Sequence, residues 1–131
     1  METTGWMEVT HDRAAAAVGS GSVNVLATPE IVALVERTAV QLLDGHLPDG
    51  QTTVGTRIEL DHLAPTPVGL AVSARVRLEA VEGRTLRFTF EVRDPAGEVA
   101  VGSHVRTLVD RVRFERGAAR RRLSPGRTNV S

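Results

Sequence analysis

The chain has 131 residues, of which 41% are hydrophobic and 24% charged, the size and profile of a single globular domain with a core of its own. It holds no Cys and no Lys, all 16 basic residues being Arg, which excludes disulfide frameworks, thiolate metal sites, Cys nucleophiles, a P-loop lysine and a Schiff-base lysine. The net charge of zero hides an acidic body and a basic end, because Glu115 is the only acid among seven Arg in residues 111–131.

Residues 7–18 carry a weak strand pattern. Gly19-Ser20-Gly21 reads as a turn, since it lacks the third glycine of a dinucleotide fingerprint and no βαβ pattern follows. The longest uncharged run, Ala14 to Pro29, spans 16 residues and is broken by Gly and Ser, too short and too polar to cross a bilayer. With no secretory signal in view, the expected location is the cytoplasm, without a membrane partner. An aromatic content of 3% and the lack of Tyr argue against a stacking platform for single strands, so no nucleic-acid partner is expected.

The strongest helix signal covers 28–44. Thr28 is a good N-cap, Pro29 sits where its missing N–H costs nothing, and Glu30 suits the positive helix start. Ile31, Val32, Leu34, Val35, Ala39, Val40, Leu42 and Leu43 follow at helical spacing until Gly45 ends the run. Apolar residues occupy most of the circumference, which predicts a buried helix rather than a surface one.

After Gly50 the period becomes two. Ile58, Leu60 and His62 alternate with charged residues until Pro65 and Pro67. Leu70, Val72, Ala74, Val76 and Leu78 form the next run, then Leu86, Phe88, Phe90 and Val92, then Val99, Val101, Ser103, Val105, Thr107 and Val109. Each run predicts a half-buried antiparallel strand, and the short turns between them predict a meander. Residues 115–131, with Pro, Gly, Ser and Arg120-Arg121-Arg122, show no periodicity and read as a disordered basic tail behind a folded domain of residues 1–114.

An antiparallel sheet with one apolar face needs a cover, and one hydrophobic helix is available. The expectation is an α+β protein in which about five strands wrap around one central helix, the hot-dog architecture.

Three polar residues stand where a purely structural role is awkward. His62 lies in register with Ile58 and Leu60 on the apolar side of its strand. Glu36 has Val32, Ala33, Ala39, Val40 and Leu43 as its helical neighbours, and a carboxylate buried there is either paired or raised in pKa. Thr28 stands at a helix start, where N–H groups and the dipole favour an anion or a developing oxyanion. A buried acid, an inward His and a hydroxyl form a nucleophile–base–orienter set. His11, His46 and His104 are scattered without ligand spacing, so no metal site is expected.

Several stretches together resemble the fluoroacetyl-CoA thioesterase-like branch of the hot-dog thioesterases. They are Leu26-Ala27-Thr28-Pro29-Glu30 through Val35-Glu36-Arg37-Thr38-Ala39, then Asp61-His62-Leu63-Ala64-Pro65-Thr66-Pro67-Val68-Gly69, Val81-Glu82-Gly83-Arg84 and Gly102-Ser103-His104-Val105-Arg106. The resemblance covers about residues 10–114. It implies hydrolysis of an acyl-CoA thioester with Thr28, Glu36 and His62 as catalytic residues and with Gly69 and Arg106 on the substrate. It implies no cofactor beyond the CoA moiety of the substrate itself, and a homodimer or dimer of dimers with sites at the interface. The fluoroacetyl-specific member carries a longer, Phe-containing lid before its Thr, whereas Gly19 to Leu26 is short and lacks aromatics, so the acyl group is left open. The alternative on the same fold is a non-catalytic acyl-CoA or acyl-carrier binding module.

One constraint follows from spacing. Thr28 and Glu36 lie about 12 Å apart along a helix axis, so a compact site needs either His62 as a bridge or contributions from two subunits.

Overall fold

Ile31, Leu34, Val35, Thr38, Ala39, Leu42 and Leu43 recur every three or four residues along the helix α2 (Thr28–Leu43), and all are buried. The computed structural model describes residues 1–122. In it this helical face lies on a five-stranded antiparallel sheet of β1 (Glu2–Glu8), β2 (Gln51–His62), β3 (Ala71–Glu82), β4 (Thr85–Asp94) and β5 (Gly97–Asp110). The strand order is β1-β3-β4-β5-β2, so β1 and β2 are the edges. Val72, Ala74 and Val76 of β3 and Leu86, Phe88, Phe90 and Val92 of β4 face α2 by simple alternation and form the core with it. A side chain at Gly5 would run into Thr38 Oγ1, so a bare β1 is what lets the helix close on that strand.

Four local expectations are corrected. The first strand is β1, which shares only Met7 and Glu8 with the expected 7–18; beyond them come a 3₁₀ turn (His11–Arg13) and the short helix α1 (Ala15–Val18). The periodicity failed because the inward residues of β1 include Gly5, while Trp6 points outward and is 72% exposed. The helix α2 is buried along one face only: Val32, Ala33 and Glu36 are half-buried and Val40 is 50% exposed.

The third correction concerns β5. Its residues Val101, Val105 and Val109 lie on the face away from α2, and Gly102, His104 and Arg106 face inward, opposite Phe90, Phe88 and Leu86. A register shift at Val92/Arg93 leaves Val99 without a β4 partner, so Val99 and Ala100 are both buried and the alternation changes phase.

Fourth, residues 115–122 are not irregular. They continue the helix α3 (Arg111–Arg122), which Ala and Arg favour and whose first turn is tied by the Arg113 N–H to Asp110 Oδ1 at 2.9 Å. None of its residues is buried. The remainder of the sequence-predicted tail, residues 123–131, lies outside the described residues.

Candidate active site

Thr28 Oγ1 lies 2.8 Å from His62 Nδ1. Each residue is delivered by the end of an element: Thr28 opens α2, and His62 closes β2 just before its Pro-rich turn. The capping position belongs to Ala27, which makes no side-chain cap bond, so the expectation that Thr28 caps the helix is corrected. Its hydroxyl is exposed and committed to the imidazole instead. The His62 Nε2 atom is buried without a hydrogen-bond partner among the described residues. A buried ring nitrogen without a partner is costly.

Glu36 stands elsewhere. Its Oε2 is 3.6 Å from Arg106 Nη1, and its side chain is 44% exposed against 7% for Arg106, so Glu36 is not the buried acid expected from its helical neighbours. Arg106 is held on three sides: Nε donates to Thr53 Oγ1 at 2.9 Å, Nη2 to the Thr53 carbonyl at 3.1 Å, and Nη1 faces His104 Nε2 at 3.2 Å. Burial lowers the Arg106 pKa, and the charge of Glu36 opposes that shift. A cavity of about 520 Å³ opens over Glu36 and Arg106, walled by Ala33, Arg37, Val40 and Gln41. A larger cavity of about 660 Å³ between β5 and α3 touches neither this pair nor Thr28 and His62.

These two clusters do not meet within one chain. Arg106 pairs with Gly55 and His62 with Ala100, so the two pairs stand seven steps apart along β2, about 23 Å at 3.3 Å per residue. His62 therefore does not bridge Thr28 and Glu36 in one protomer. Gly69 is an exposed turn residue with φ +104° whose N–H bonds the Val9 carbonyl at 2.8 Å. The glycine that does approach the site is Gly55, where an added Cβ would stand 2.6 Å from Glu36 Oε2. Sequence reasoning missed Gly55, Thr53 and His104. The available signal was the two-residue spacing of His104 and Arg106, which puts both on one strand face. Among the described residues no cluster of three His, Asp or Glu side chains could hold a metal ion, and no helix is long and apolar enough to cross a membrane.

One antiparallel sheet laid on one central helix, with a Thr–His pair where that helix begins, defines a hot-dog protein of the thioesterase type. Comparison with known sequences narrows the class. The chain belongs to the fluoroacetyl-CoA-specific thioesterase (FlK) family, whose sequence profile matches residues 9–112. The fluoroacetyl-CoA thioesterase of Streptantibioticus cattleyicolor is 34% identical over 90 residues, which are 69% of this chain and 65% of that protein, slightly under two thirds of its length. The crystal structure of a mutant of the fluoroacetyl-CoA-specific thioesterase FlK matches with a TM-score of 0.86 at 26% identity, covering 92% of this chain and 94% of that one. A hot-dog-like protein from Thermanaerovibrio acidaminovorans matches with a TM-score of 0.85 at 26% identity, covering 92% and 90%.

Proposed function

We propose that this protein hydrolyses an acyl-CoA thioester to the free acid and CoA, using Thr28, His62 and Glu36. The observation that carries the reading is the 2.8 Å contact between the Thr28 hydroxyl and His62 Nδ1 at the start of a helix. His62 takes the proton of the attacking oxygen and returns it to the departing CoA sulfur. Where that oxygen belongs to a water that Thr28 orients, the free acid forms at once. Where it is Thr28 Oγ1, a water that gives its proton to His62 then cleaves the acyl–Thr28 ester, and the proton returns to Thr28. Pro29 has no N–H and the Glu30 N–H is spent on the Ala27 carbonyl at 3.0 Å, so the Thr28 N–H and the positive end of α2 stabilise the oxyanion. CoA enters as part of the substrate, and the chemistry draws on side chains alone.

The working unit in this reading is a cytoplasmic homodimer, or a dimer of such dimers. The strand β2 is a twelve-residue edge, and α2 leaves Val32, Ala33 and Val40 uncovered on the same side. A two-fold axis near Ile58 and Glu59 sets Gly55 of one β2 against His62 of the other, because paired positions in a symmetric antiparallel contact have a constant sum. Glu36 of the partner subunit then reaches the unpaired His62 Nε2, orienting the ring and stabilising its charged form. Arg106 lines the acyl end of the same site.

The test is thiol release from short, long and aromatic acyl-CoAs by the wild-type protein and by His62→Ala. Turnover that disappears in folded His62→Ala supports the enzyme. Binding of acyl-CoA without release of thiol from any of them makes the protein a binding module instead.

A further inference from the structure

We propose that His104 is a positioning residue of this site, locking the Arg106 guanidinium in the orientation that faces Glu36. The inference rests on the reading that Glu36 and Arg106 serve the reaction. His104 is 2% exposed and stacked on Phe88 with ring centroids 6.0 Å apart, so it acts on the site only through its neighbours. A Phe or Leu would fill this place without the desolvation that an imidazole suffers, so the ring nitrogens need an account.

Their partners determine their protonation. Nδ1 is 2.8 Å from the Arg57 carbonyl, which only accepts, so Nδ1 carries the proton. Nε2 is 3.2 Å from Arg106 Nη1, which only donates, so Nε2 offers a lone pair. The ring is thereby fixed as the neutral Nδ1–H tautomer. A second proton would break the bond to Arg106 and set two cations side by side. Burial accordingly pushes the His104 pKa below its ordinary value; the positive charge of Arg106 adds to this, while the Arg57 carbonyl and the Glu36 charge oppose it. These are the charged and polar groups that face the ring from β5, β2 and α2; β4 presents Phe88.

With Thr53 holding Nε and Nη2, His104 supplies the remaining anchor and leaves Nη1 turned toward Glu36. The other arginine–carboxylate pairs among the described residues have side chains exposed by 29% or more on both partners, so none needs a third group to set its geometry. Bare backbone at Gly55 makes room for the cluster: an added Cβ would stand 2.6 Å from Glu36 Oε2, 3.2 Å from His104 Cε1 and 3.3 Å from Arg106 Nη1.

Two variants and one spectrum test the assignment. His104→Phe keeps the shape and the Phe88 contact but removes the acceptor, and kcat/KM is expected to fall about 10- to 100-fold, as is usual for a group supporting a site residue. His104→Gln places a carbonyl oxygen where Nε2 was and is expected to restore activity to within about threefold of wild type, even where both variants melt at the same lowered temperature. A structural role predicts the opposite: turnover per folded molecule equal in wild type and His104→Phe, which overturns the proposal. Imidazole ¹⁵N spectra of the wild-type protein need neither substrate nor variant. They are expected to show His104 as the neutral Nδ1–H tautomer, with the tautomer preference weakened in Arg106→Met. An Nε2–H tautomer or an imidazolium at pH 7 overturns the positioning mechanism. Absence of any thioester hydrolysis, with the tautomer as expected, overturns the functional reading instead and leaves the His104–Arg106 lock standing.

Discussion

Thr28 Oγ1 and His62 Nδ1 meet at 2.8 Å across 34 residues of chain, joining the first turn of the central helix to the last residue of an edge strand. Because Ala27 holds the capping position and Thr28 makes no cap bond, the hydroxyl is removable without the usual loss of about 1 kcal/mol that follows deletion of a capping side chain. Thr28→Ala is therefore expected to keep the wild-type melting temperature while its turnover collapses, and Thr28→Ser to keep most of both. Calorimetry and a thiol-release assay on the same two preparations check this. A large drop in melting temperature for Thr28→Ala would reinstate the capping role.

The proposed sharing of the site between protomers predicts complementation. His62→Ala and Glu36→Gln are each expected to lower kcat by roughly 10²–10⁴, and the double mutant to be little worse, because the groups act in one step. Co-refolding the two single mutants in equal amounts should restore about a quarter of wild-type activity, since half of the dimers are mixed and each mixed dimer has one intact site. Additive losses, or a mixture no better than its parts, would exclude the shared arrangement.

How far the sequence was legible depended on whether one signal acted alone at each position. The helix α2 had proline placement and apolar spacing in agreement, and its observed bounds, Thr28–Leu43, differ from the sequence expectation by one residue, although Ala27 and not Thr28 holds the capping position. The strands β3 and β4 alternate without interruption and were equally plain. In β5 the same rule pointed the wrong way: the valines at 101, 105 and 109 occupy the outer face, and the inner one is given to Gly102, His104 and Arg106. A polar inner face cannot be recognised from periodicity, because periodicity assumes that the inside is apolar. The same assumption made Glu36 look buried. Of its apolar neighbours only Ala39 and Leu43 lie in the core, while Val32, Ala33 and Val40 belong to the side of α2 that the sheet leaves open, and Glu36 lies with them.

The buried imidazole makes stability depend on pH. Above 6.5, the ordinary histidine value, neither the folded nor the unfolded chain protonates His104. As pH falls below 6.5 the unfolded chain takes up a proton that the folded chain refuses, so stability declines until folded His104 itself titrates. One such group gives a slope of at most about 1.4 kcal/mol per pH unit. The acids Glu2, held low by Arg77 and Arg75, and Asp12, held low by Thr10, lose their contributions only below 4.5 and 3.8, outside this window. Denaturant melts between pH 7.5 and 5 should therefore be flatter for His104→Phe than for wild type, and parallel curves would contradict the shift.

The helix α3 buries no residue, so its removal should leave the domain folded. Arg84, Arg113, Arg120 and Arg121 nonetheless line the cavity between α3 and β5, and none of them has a carboxylate partner among the described residues. In the proposed function this positive charge, set against the one acid of the lining, Asp110, would attract the phosphates of CoA at long range. Truncation after Arg111 is expected to preserve the melting temperature and kcat while raising KM, with the rise shrinking as salt is added. A fall in kcat at saturating substrate would show that α3 supports the site itself.

Two glycines on the inner face of the β2–β5 pair separate activity from folding. A Cβ at Gly102 would run into the Glu59 carbonyl and crowd Phe90 Cζ to 2.7 Å, and neither a backbone carbonyl nor a core ring can step aside. Gly102→Ala is therefore expected to be strongly destabilising, in the range of about 1–3 kcal/mol found for overpacked cores. At Gly55 the nearest obstacle is Glu36 Oε2 at 2.6 Å, the free end of a half-exposed side chain that can swing into the adjoining cavity. Gly55→Ala should then fold nearly as well as wild type but hold the carboxylate away from Arg106 and from the site it completes, lowering kcat by at least tenfold. Measuring the melting temperature and kcat of both variants side by side decides the matter: a fully active Gly55→Ala would mean that Glu36 works from some other position, or not at all.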